Sequence, residues 1–222
     1  MNQETWTAVD HYLTGLLEPS DSVLAAALNA STAAGLPPIN VSPVQGRLLQ
    51  LLARIQGARN ILEIGTLGGY STIWLARALP AGGTLITLEF DPKHTEIARA
   101  NFGRAGLAGV VELRVGLALD ILPKLAAEGR GPFDFIFIDA DKQSTADYFA
   151  WALKLSRRGS VIFVDNVVRK GAVTDEANAD PRVHGMRRFF ETLAAEKRVS
   201  ATVVQTVGCK GYDGFALALV ME

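Results

Sequence analysis

Five short apolar runs alternate with segments of helical apolar spacing along the middle and later parts of the chain. The runs cover residues 60–64, 84–89, 110–115, 133–138 and 160–164. Apolar runs bounded by turn or polar residues are typical of buried parallel strands. Their alternation with helical segments predicts an α/β fold, a doubly wound parallel sheet with helices on both faces.

Two further helices are predicted ahead of this alternation, over residues 6–17 and 22–34, the second capped by Ser20 or Asp21. Being additional to the sheet pattern, they are expected to supply a lid or an interface. The chain is predicted to form a single domain, residues 1–222. Within it, residues 1–40 would be this N-terminal segment, and residues 41–222 the core.

The first helix of the core has a strong start signal. Ser42 is a capping residue, Pro43 takes the first helical position, and Gln45 follows three residues after the cap. This is the capping-box pattern with proline at the helix start. Asp91 and Asp180, each followed by proline, predict two later helix starts.

The end of the chain departs from the alternating pattern. After a helix near residues 181–196 come two strand-like runs, 199–207 and 214–221, joined by residues 208–213. A loop this short connects only antiparallel neighbours, because a parallel pair needs a crossover of a dozen or more residues. The sequence therefore predicts seven strands, of which the last is antiparallel.

Polar oxygen atoms follow two of the buried strands. Asp139 comes after the run at 133–138, and Asp165 and Asn166 end the run at 160–164. Ligands of open α/β sheets bind at the carboxyl ends of strands, so these side chains are expected to converge. Their oxygens suit Mg²⁺ or Ca²⁺. The alternative is that all three cap the following turns or helices.

A glycine-rich loop follows the first strand. Gly65, Gly68 and Gly69 let the backbone approach a ligand. They do not form G-x-G-x-x-G, because Leu67 and Tyr70 hold the places of its second and third glycines. A cofactor without a pyrophosphate is therefore favoured.

Two acids flank this loop in the predicted sheet. Glu89 ends the second strand, where an acid can accept hydrogen bonds from both ribose hydroxyls; the alternative is a solvated strand end. Glu63 lies in the first strand, where burial requires a partner. A positively charged ligand amine or a neighbouring backbone amide would each serve.

Composition limits the remaining possibilities. The chain has 222 residues, a net charge of −1 and a single cysteine, so neither a polyanion-binding surface nor an internal disulfide is indicated. The N-terminus lacks a secretory pattern, and no apolar run is long enough to span a membrane. A cytoplasmic protein is expected. The three histidines lack the spacing of a zinc site.

Five segments together make the resemblance to a known family specific: LEIGTLGGYS, GLALDIL at residues 116–122, IDADK, VDNVVRKGAV and GYDGFALAL. From about residue 41 to its end the chain resembles the cation-dependent S-adenosylmethionine (SAM) O-methyltransferases, which include caffeoyl-CoA and catechol O-methyltransferases. The resemblance implies a class I methyltransferase, Rossmann-like sheet with an antiparallel seventh strand. It also implies a homodimer, SAM as cofactor, and Mg²⁺, or else Mn²⁺ or Ca²⁺, as metal.

The resemblance assigns roles to individual residues. The metal ligands would be Asp139, Asp165 and Asn166, and the general base would be Lys142. Eight residues match cofactor-binding positions: Val41, Glu63, Gly65, Tyr70, Ser71, Glu89, Ala118 and Asp139.

These roles make chemical sense for methyl transfer to an aromatic hydroxyl. A free phenol has a pKa near ~10 and is mostly protonated at neutral pH. Chelation of two adjacent hydroxyls by a divalent cation would lower that pKa and fix the attacking oxygen. A dication beside Lys142 would favour its neutral amine, which could take the proton.

Some residues depart from the plant pattern. Ser144 and Thr145 stand where plant members have Asn-Tyr, and Arg169 and Lys170 replace an aromatic. The two basic residues would meet an acidic substrate, such as a CoA ester or RNA phosphate, or would lie on a solvated loop. Three functions compete: methylation of a catechol-type small molecule, methylation of tRNA hydroxyuridine, and noncatalytic binding of an adenosyl ligand.

Overall fold

A mixed sheet of seven strands forms the centre of the protein. The computed structural model describes residues 2–17 and 20–222. The strands are β1 (Asn60–Ile64), β2 (Thr84–Glu89), β3 (Val111–Val115), β4 (Phe135–Ile138), β5 (Val161–Asp165), β6 (Val199–Gly208) and β7 (Gly211–Val220). Their spatial order is β3-β2-β1-β4-β5-β7-β6. The first five strands are parallel, and β7 is antiparallel to both β5 and β6, as predicted.

Helices cover both faces of this sheet. They are α1 (Gln3–Leu17), α2 (Ser22–Ala33), α3 (Pro43–Gln56), α4 (Tyr70–Ala76), α5 (Pro92–Arg104), α6 (Ala118–Ala127), α7 (Thr145–Lys154) and α8 (Pro181–Ala195). Two 3-10 segments, Lys142–Ser144 and Arg169–Thr174, follow β4 and β5. Within the described ranges, no helix is long and apolar enough to cross a membrane.

Side-chain alternation along each strand divides the core into two layers. Ile61 and Phe135 pack with α2, α3, α4 and α5, whereas Leu62 and Ile136 pack with α6, α7 and α8. Successive residues of a strand point to opposite faces, so a central strand between two helical layers is apolar on both sides. Glu63 points to the same face as Ile61 and is therefore a carboxyl group inside a helix-covered layer.

The helix starts follow the sequence signals, with one difference. The Ser42 hydroxyl accepts a hydrogen bond from the amide of Gln45 at 3.2 Å, and Asp21 caps α2. The Gln45 side chain, however, donates to Asp165 at 2.7 Å. The predicted capping box is thus formed on one side only, and its glutamine is used at the carboxyl edge of the sheet.

The terminal hairpin is tighter than predicted. Strands β6 and β7 pair from Val199 with Val220 up to Gly208 with Gly211, which leaves a turn of Cys209 and Lys210. The expected six-residue loop at 208–213 is therefore wrong. Helix α1 lies beside this turn, where Asp10 accepts a hydrogen bond from the Cys209 amide at 2.7 Å.

In the sheet, β1 lies between β2 and β4. The chain adds β2 and β3 on one side of β1 and then β4 and β5 on the other, so the strand order switches at β1. Ligands of open α/β sheets bind at this switch point, outside the carboxyl ends of the strands. The Asp139 amide donates to the Ile64 carbonyl at 2.9 Å, so the segments leaving β1 and β4 remain in contact beyond the strands.

Candidate active site

A cavity of about 730 Å³ opens at the carboxyl ends of β1, β2 and β4. Seven of the eight predicted cofactor residues line it: Val41, Gly65, Tyr70, Ser71, Glu89, Ala118 and Asp139. The eighth, Glu63, lies behind the wall and accepts a hydrogen bond from the Ser71 hydroxyl at 2.7 Å. The structure therefore brings the whole predicted cofactor set to one cavity.

The glycine loop after β1 is shaped by close backbone contacts. Gly65 has φ +98°, and a Cβ atom there would lie 2.0 Å from the Asp139 carbonyl oxygen. Gly69 has φ +82°, with the ring of Phe102 2.4 Å from the position of a Cβ. Only glycine fits such positions without displacing its neighbours. The loop consequently runs close against the segment that carries Asp139.

The Glu89 side chain accepts hydrogen bonds from the same glycine loop. One carboxylate oxygen accepts from the amides of Thr66 at 3.2 Å and Leu67 at 2.8 Å, and the other from those of Phe90 and Asp91. The side chain is buried, so the alternative of a solvated strand end is wrong. Glu89 both lines the cavity and fixes its glycine loop.

Glu63 is fully buried and satisfied by three hydroxyl groups. Ser71, Thr72 and Thr87 donate to its carboxylate at 2.7, 2.5 and 2.7 Å. The expected alternative of a bond to a backbone amide is not what the described residues show. Burial raises the pKa of Glu63 to about 7, against the lowering effect of these hydrogen bonds. An adjacent cation would favour its charged form.

Lys142 joins the ends of β4 and β5. Its Nζ lies 2.7 Å from Oδ1 of Asp139 and donates to the backbone carbonyl of Asp165 at 3.2 Å. The side chain is only 9% exposed, so Lys142 is a buried, paired ammonium. Asp139 and Lys142 both line the cavity.

Asp165 is buried and is not among the residues that line the cavity. Its two carboxylate oxygens accept from the Gln45 side chain at 2.7 Å and from the Asn166 amide at 2.8 Å. Burial, followed by the charge of Asp139, raises the pKa of the Asp165 carboxyl. Asp139 and Asp165 repel each other when both are ionised, and a bound cation would stabilise the two charges.

Asn166 lines the cavity and has φ +56°. In the described part of the chain, no group of three His, Cys, Asp or Glu side chains could hold a metal ion. The predicted set instead combines two carboxylates with the Asn166 amide. All three offer hard oxygen atoms, the donor type that Mg²⁺, Mn²⁺ and Ca²⁺ prefer, so the donor chemistry fits such an ion.

The loop after Asn166 is held by the antiparallel strand β7. Oδ1 of Asp213 accepts from the amides of Val168 and Arg169, both at 2.9 Å. Arg169 and Lys170 have φ of +55° and +57°. Non-glycine residues persist in this region only when their surroundings fix them, and such strain is concentrated at functional sites. Asp213 therefore stabilises a conformation that the loop sequence does not favour.

The basic residues near this loop separate into two groups. Arg169 and Arg182 line the cavity, whereas Lys170 lies outside it. Arg188 pairs with Asp147 at 2.5 Å and is not part of the cavity lining.

Sequence reasoning did not identify Gln45 and Tyr148 as residues of the site. Gln45 reaches Asp165 from 120 positions away, and the helix-start signal at Gln45 gave no sign of that contact. Tyr148 lines the cavity and donates its hydroxyl hydrogen bond to Asp141. Burial, with Asp141 beside it, raises the pKa of Tyr148, so this hydroxyl stays protonated.

The raised pKa of Glu63 predicts a pH-dependent stability of the ligand-free protein. The folded chain binds the proton of the Glu63 carboxyl more tightly than the unfolded chain does. The protonated carboxyl therefore stabilises the fold in full below pH 4.5, and this contribution is lost as the pH rises to about 7. The free energy of unfolding should fall by about 3 kcal/mol over this window on account of this carboxyl. Glu63→Gln should remove that part of the slope, measured by chemical denaturation between pH 4.5 and 8.

Glu191→Gln, at an exposed position of α8, is the control and should leave the slope as in the wild type. Parallel stability curves for the wild type and Glu63→Gln would contradict the prediction.

Comparison with known proteins is consistent with this geometry. A sequence model of the O-methyltransferase family matches residues 18–220. A catechol O-methyltransferase from Niastella koreensis is 56% identical over 99% of this chain and 100% of its own length. An O-methyltransferase structure from Bacillus cereus in complex with SAH has a TM-score of 0.97 and 62% identity, covering 99% of this chain and 100% of that one.

A second structure, the O-methyltransferase TomG of tomaymycin synthesis from Streptomyces achromogenes in complex with SAM, has a TM-score of 0.96. It is 54% identical, and the match covers 100% of both chains. The family match spans most of the chain, and the sheet order and cavity agree with the predicted methyltransferase architecture. The chain therefore belongs to the O-methyltransferase family.

Proposed function

We propose that the protein transfers a methyl group from SAM to one hydroxyl of a vicinal dihydroxy aromatic, with a divalent cation at the acceptor end. The observation that carries this proposal is the meeting of two sets of residues in one cavity. The glycine loop and Glu89 form one side, and Asp139, Lys142 and Asn166 form the other. Relatives named catechol O-methyltransferase, at 56% and 53% identity, support the acceptor class.

The cofactor side suits an adenosyl sulfonium. When bound, SAM supplies the methyl group from its sulfonium. Gly65 allows close approach of a ligand to the backbone, and Glu89, which lines the cavity, would accept hydrogen bonds from the ribose hydroxyls. Glu63 lies behind Ser71, whose hydroxyl donates a hydrogen bond to it. A positively charged ligand in the cavity would favour the ionised form of the Glu63 carboxyl. Val41, on the wall before α3, and Ala118, at the start of α6, would flank the cofactor.

The acceptor side would hold the metal through Asp139, Asp165 and Asn166. When bound, a divalent cation lowers the pKa of a coordinated hydroxyl and orients two adjacent oxygens. A divalent cation near Lys142, whose Nζ lies 2.7 Å from Asp139, would favour the neutral amine, and that amine would accept the phenolic proton as general base. The cavity walls would hold the acceptor and the methyl donor in line, and such positioning is a large part of catalysis of this kind.

Residues 1–40 would close the cofactor side and support a homodimer. Leu36, Pro38 and Ile39 of this segment line the cavity, which supports a covering role.

Metal dependence is tested by removing the ion. Excess EDTA should abolish methylation of a catechol, and Mg²⁺ or Mn²⁺ should restore it. Asp165→Asn should lose most activity while remaining folded, whereas Asp175→Asn, at an exposed position, should keep it.

The acceptor class is tested with a monophenol of similar shape, which should react poorly because it cannot chelate the metal ion. Full turnover in chelator would contradict the metal assignment, and methylation of bulk tRNA without any catechol product would contradict the acceptor class.

The proton-accepting role is tested at Lys142. Lys142→Ala should lower kcat by roughly 10²–10⁴-fold with little change in SAM affinity, as for loss of a positioned general base. The defect should shrink as pH rises, because hydroxide can take the proton. Lys124→Ala removes an exposed lysine of α6 and serves as the control. Near-normal kcat of Lys142→Ala at neutral pH would show that the lysine is structural.

The homodimer is tested at α1, where Tyr12 and Leu16 lie four residues apart and are 67% and 64% exposed. Such an apolar helix face is typical of a protein interface. Sedimentation velocity should show a dimer at micromolar concentration, and Tyr12→Glu with Leu16→Glu should shift it to monomer. Lys124→Glu should leave the dimer intact. A monomeric wild-type protein would contradict the proposal.

A further inference from the structure

Arg169 lines the cavity three residues after Asn166, and its guanidinium makes a long ion pair with Asp213. It lines both the main cavity and a neighbouring one of about 300 Å³, and its side chain is 24% exposed. Its guanidinium lies 3.9 Å from Oδ2 of Asp213, beyond hydrogen-bond distance. Within residues 2–17 and 20–222 no protein atom accepts a hydrogen bond from it. A half-buried guanidinium fork in this state suits a planar anion.

The backbone fixes where this arginine stands. Its amide donates to Asp213 at 2.9 Å, and its φ is +55°. The Arg169 position is thus set by β7 and by the strained loop, before any ligand arrives. A side chain on a fixed backbone loses less conformational freedom on binding than one on a mobile loop.

The neighbouring basic residues differ from Arg169 in their contacts and in the cavity that they line. Arg182 lines the same two cavities but is 59% exposed, and its Nε and Nη2 atoms already donate to Asp180. Lys170 lines only the smaller cavity. Among the described residues, Arg169 is therefore the member of the group that reaches the main cavity without a side-chain hydrogen bond, although its charge acts on Asp213 and Asp180.

The spacing along the loop suits one aromatic ring. Asn166 and Arg169 both line the cavity and are three residues apart, so their Cα atoms are at most about 11 Å from each other. An acceptor whose hydroxyls lie at Asn166 and Asp139 can present a ring substituent toward Arg169.

From this geometry we infer that Arg169 binds a carboxylate group on the aromatic acceptor and makes the enzyme selective for acidic catechols. This inference rests on the proposed function, because that function places the reacting hydroxyls at the Asn166 end. Charge-assisted, bidentate binding of a carboxylate to arginine is among the stronger polar interactions in proteins. Arg182 adds positive charge at the rim of the same site.

Two acceptors of matched shape test the inference: a dihydroxybenzoate with vicinal hydroxyls and the corresponding dihydroxybenzamide. The wild type should show kcat/KM for the benzoate roughly 10- to 100-fold above that for the benzamide, the range expected for a charge-assisted contact. Arg169→Gln should reduce this ratio to near one. Arg169→Lys should be intermediate, since it keeps the charge and loses the fork.

Lys170→Gln is the matched control, because it removes the same charge from the neighbouring residue outside the main cavity. Its ratio should remain within about twofold of the wild type, and the preference should weaken as salt screens the contact. An unchanged ratio in Arg169→Gln, or an equal reduction in Lys170→Gln, would overturn the inference.

Calorimetric binding of both compounds to the protein with SAH and Mg²⁺ separates the two levels of the proposal. Turnover of both compounds without a charge preference would remove the carboxylate site and leave the methyltransferase reaction standing. Benzoate-selective binding that depends on Arg169, without turnover of either compound, would support the site and contradict the proposed reaction. Equal binding of both compounds without turnover would contradict both.

Discussion

The structure is organised around carboxyl groups that lie buried or half-buried at or near the ends of its parallel strands. A buried charge is costly unless paired or hydrogen-bonded. Each acid here is compensated differently: Glu63 by three hydroxyls, Glu89 by four backbone amides, Asp139 by an ammonium group, and Asp165 by an amide side chain and a backbone amide. The groups that hydrogen-bond Glu89 and Asp165 belong in part to the glycine loop, the start of α3 and the loop after β5. These acids therefore help to fix the positions of the three segments.

This compensation divides the cavity into two chemical halves. The hydroxyls that hydrogen-bond Glu63 are neutral and burial raises its pKa to about 7, so a positively charged cofactor would favour its ionised form. The other half already contains a cation, Lys142, between Asp139 and the β5 end. A second cation there would share the acids with Lys142, which couples metal binding to the state of the amine. The proposed acceptor chemistry depends on that coupling.

Local signals allowed the sequence to predict much of this arrangement. Apolar runs gave the strands, acidic residues after them gave the strand-end cluster, and Gly65 marked the close approach of two loops. Contacts between distant segments were not predictable. Nothing near Gln45 indicates that it reaches Asp165, and nothing in the loop sequence indicates left-handed Arg169. Both depend on partners in other elements, Asp213 on β7 in the second case. The hairpin turn was misplaced because Gly208 and Gly211, which resemble loop residues, form the last ladder pair.

The central claim is that the strand-end oxygens bind a divalent cation where the acceptor reacts. The most direct measurement is a crystal structure with SAH, Mn²⁺ and a catechol, with anomalous data collected for manganese. We expect one anomalous peak within bonding distance of oxygens from Asp139, Asp165 and Asn166, with both catechol oxygens at the same ion. A bound catechol with no manganese peak, and with Lys142 still bridging Asp139 and Asp165, would contradict it.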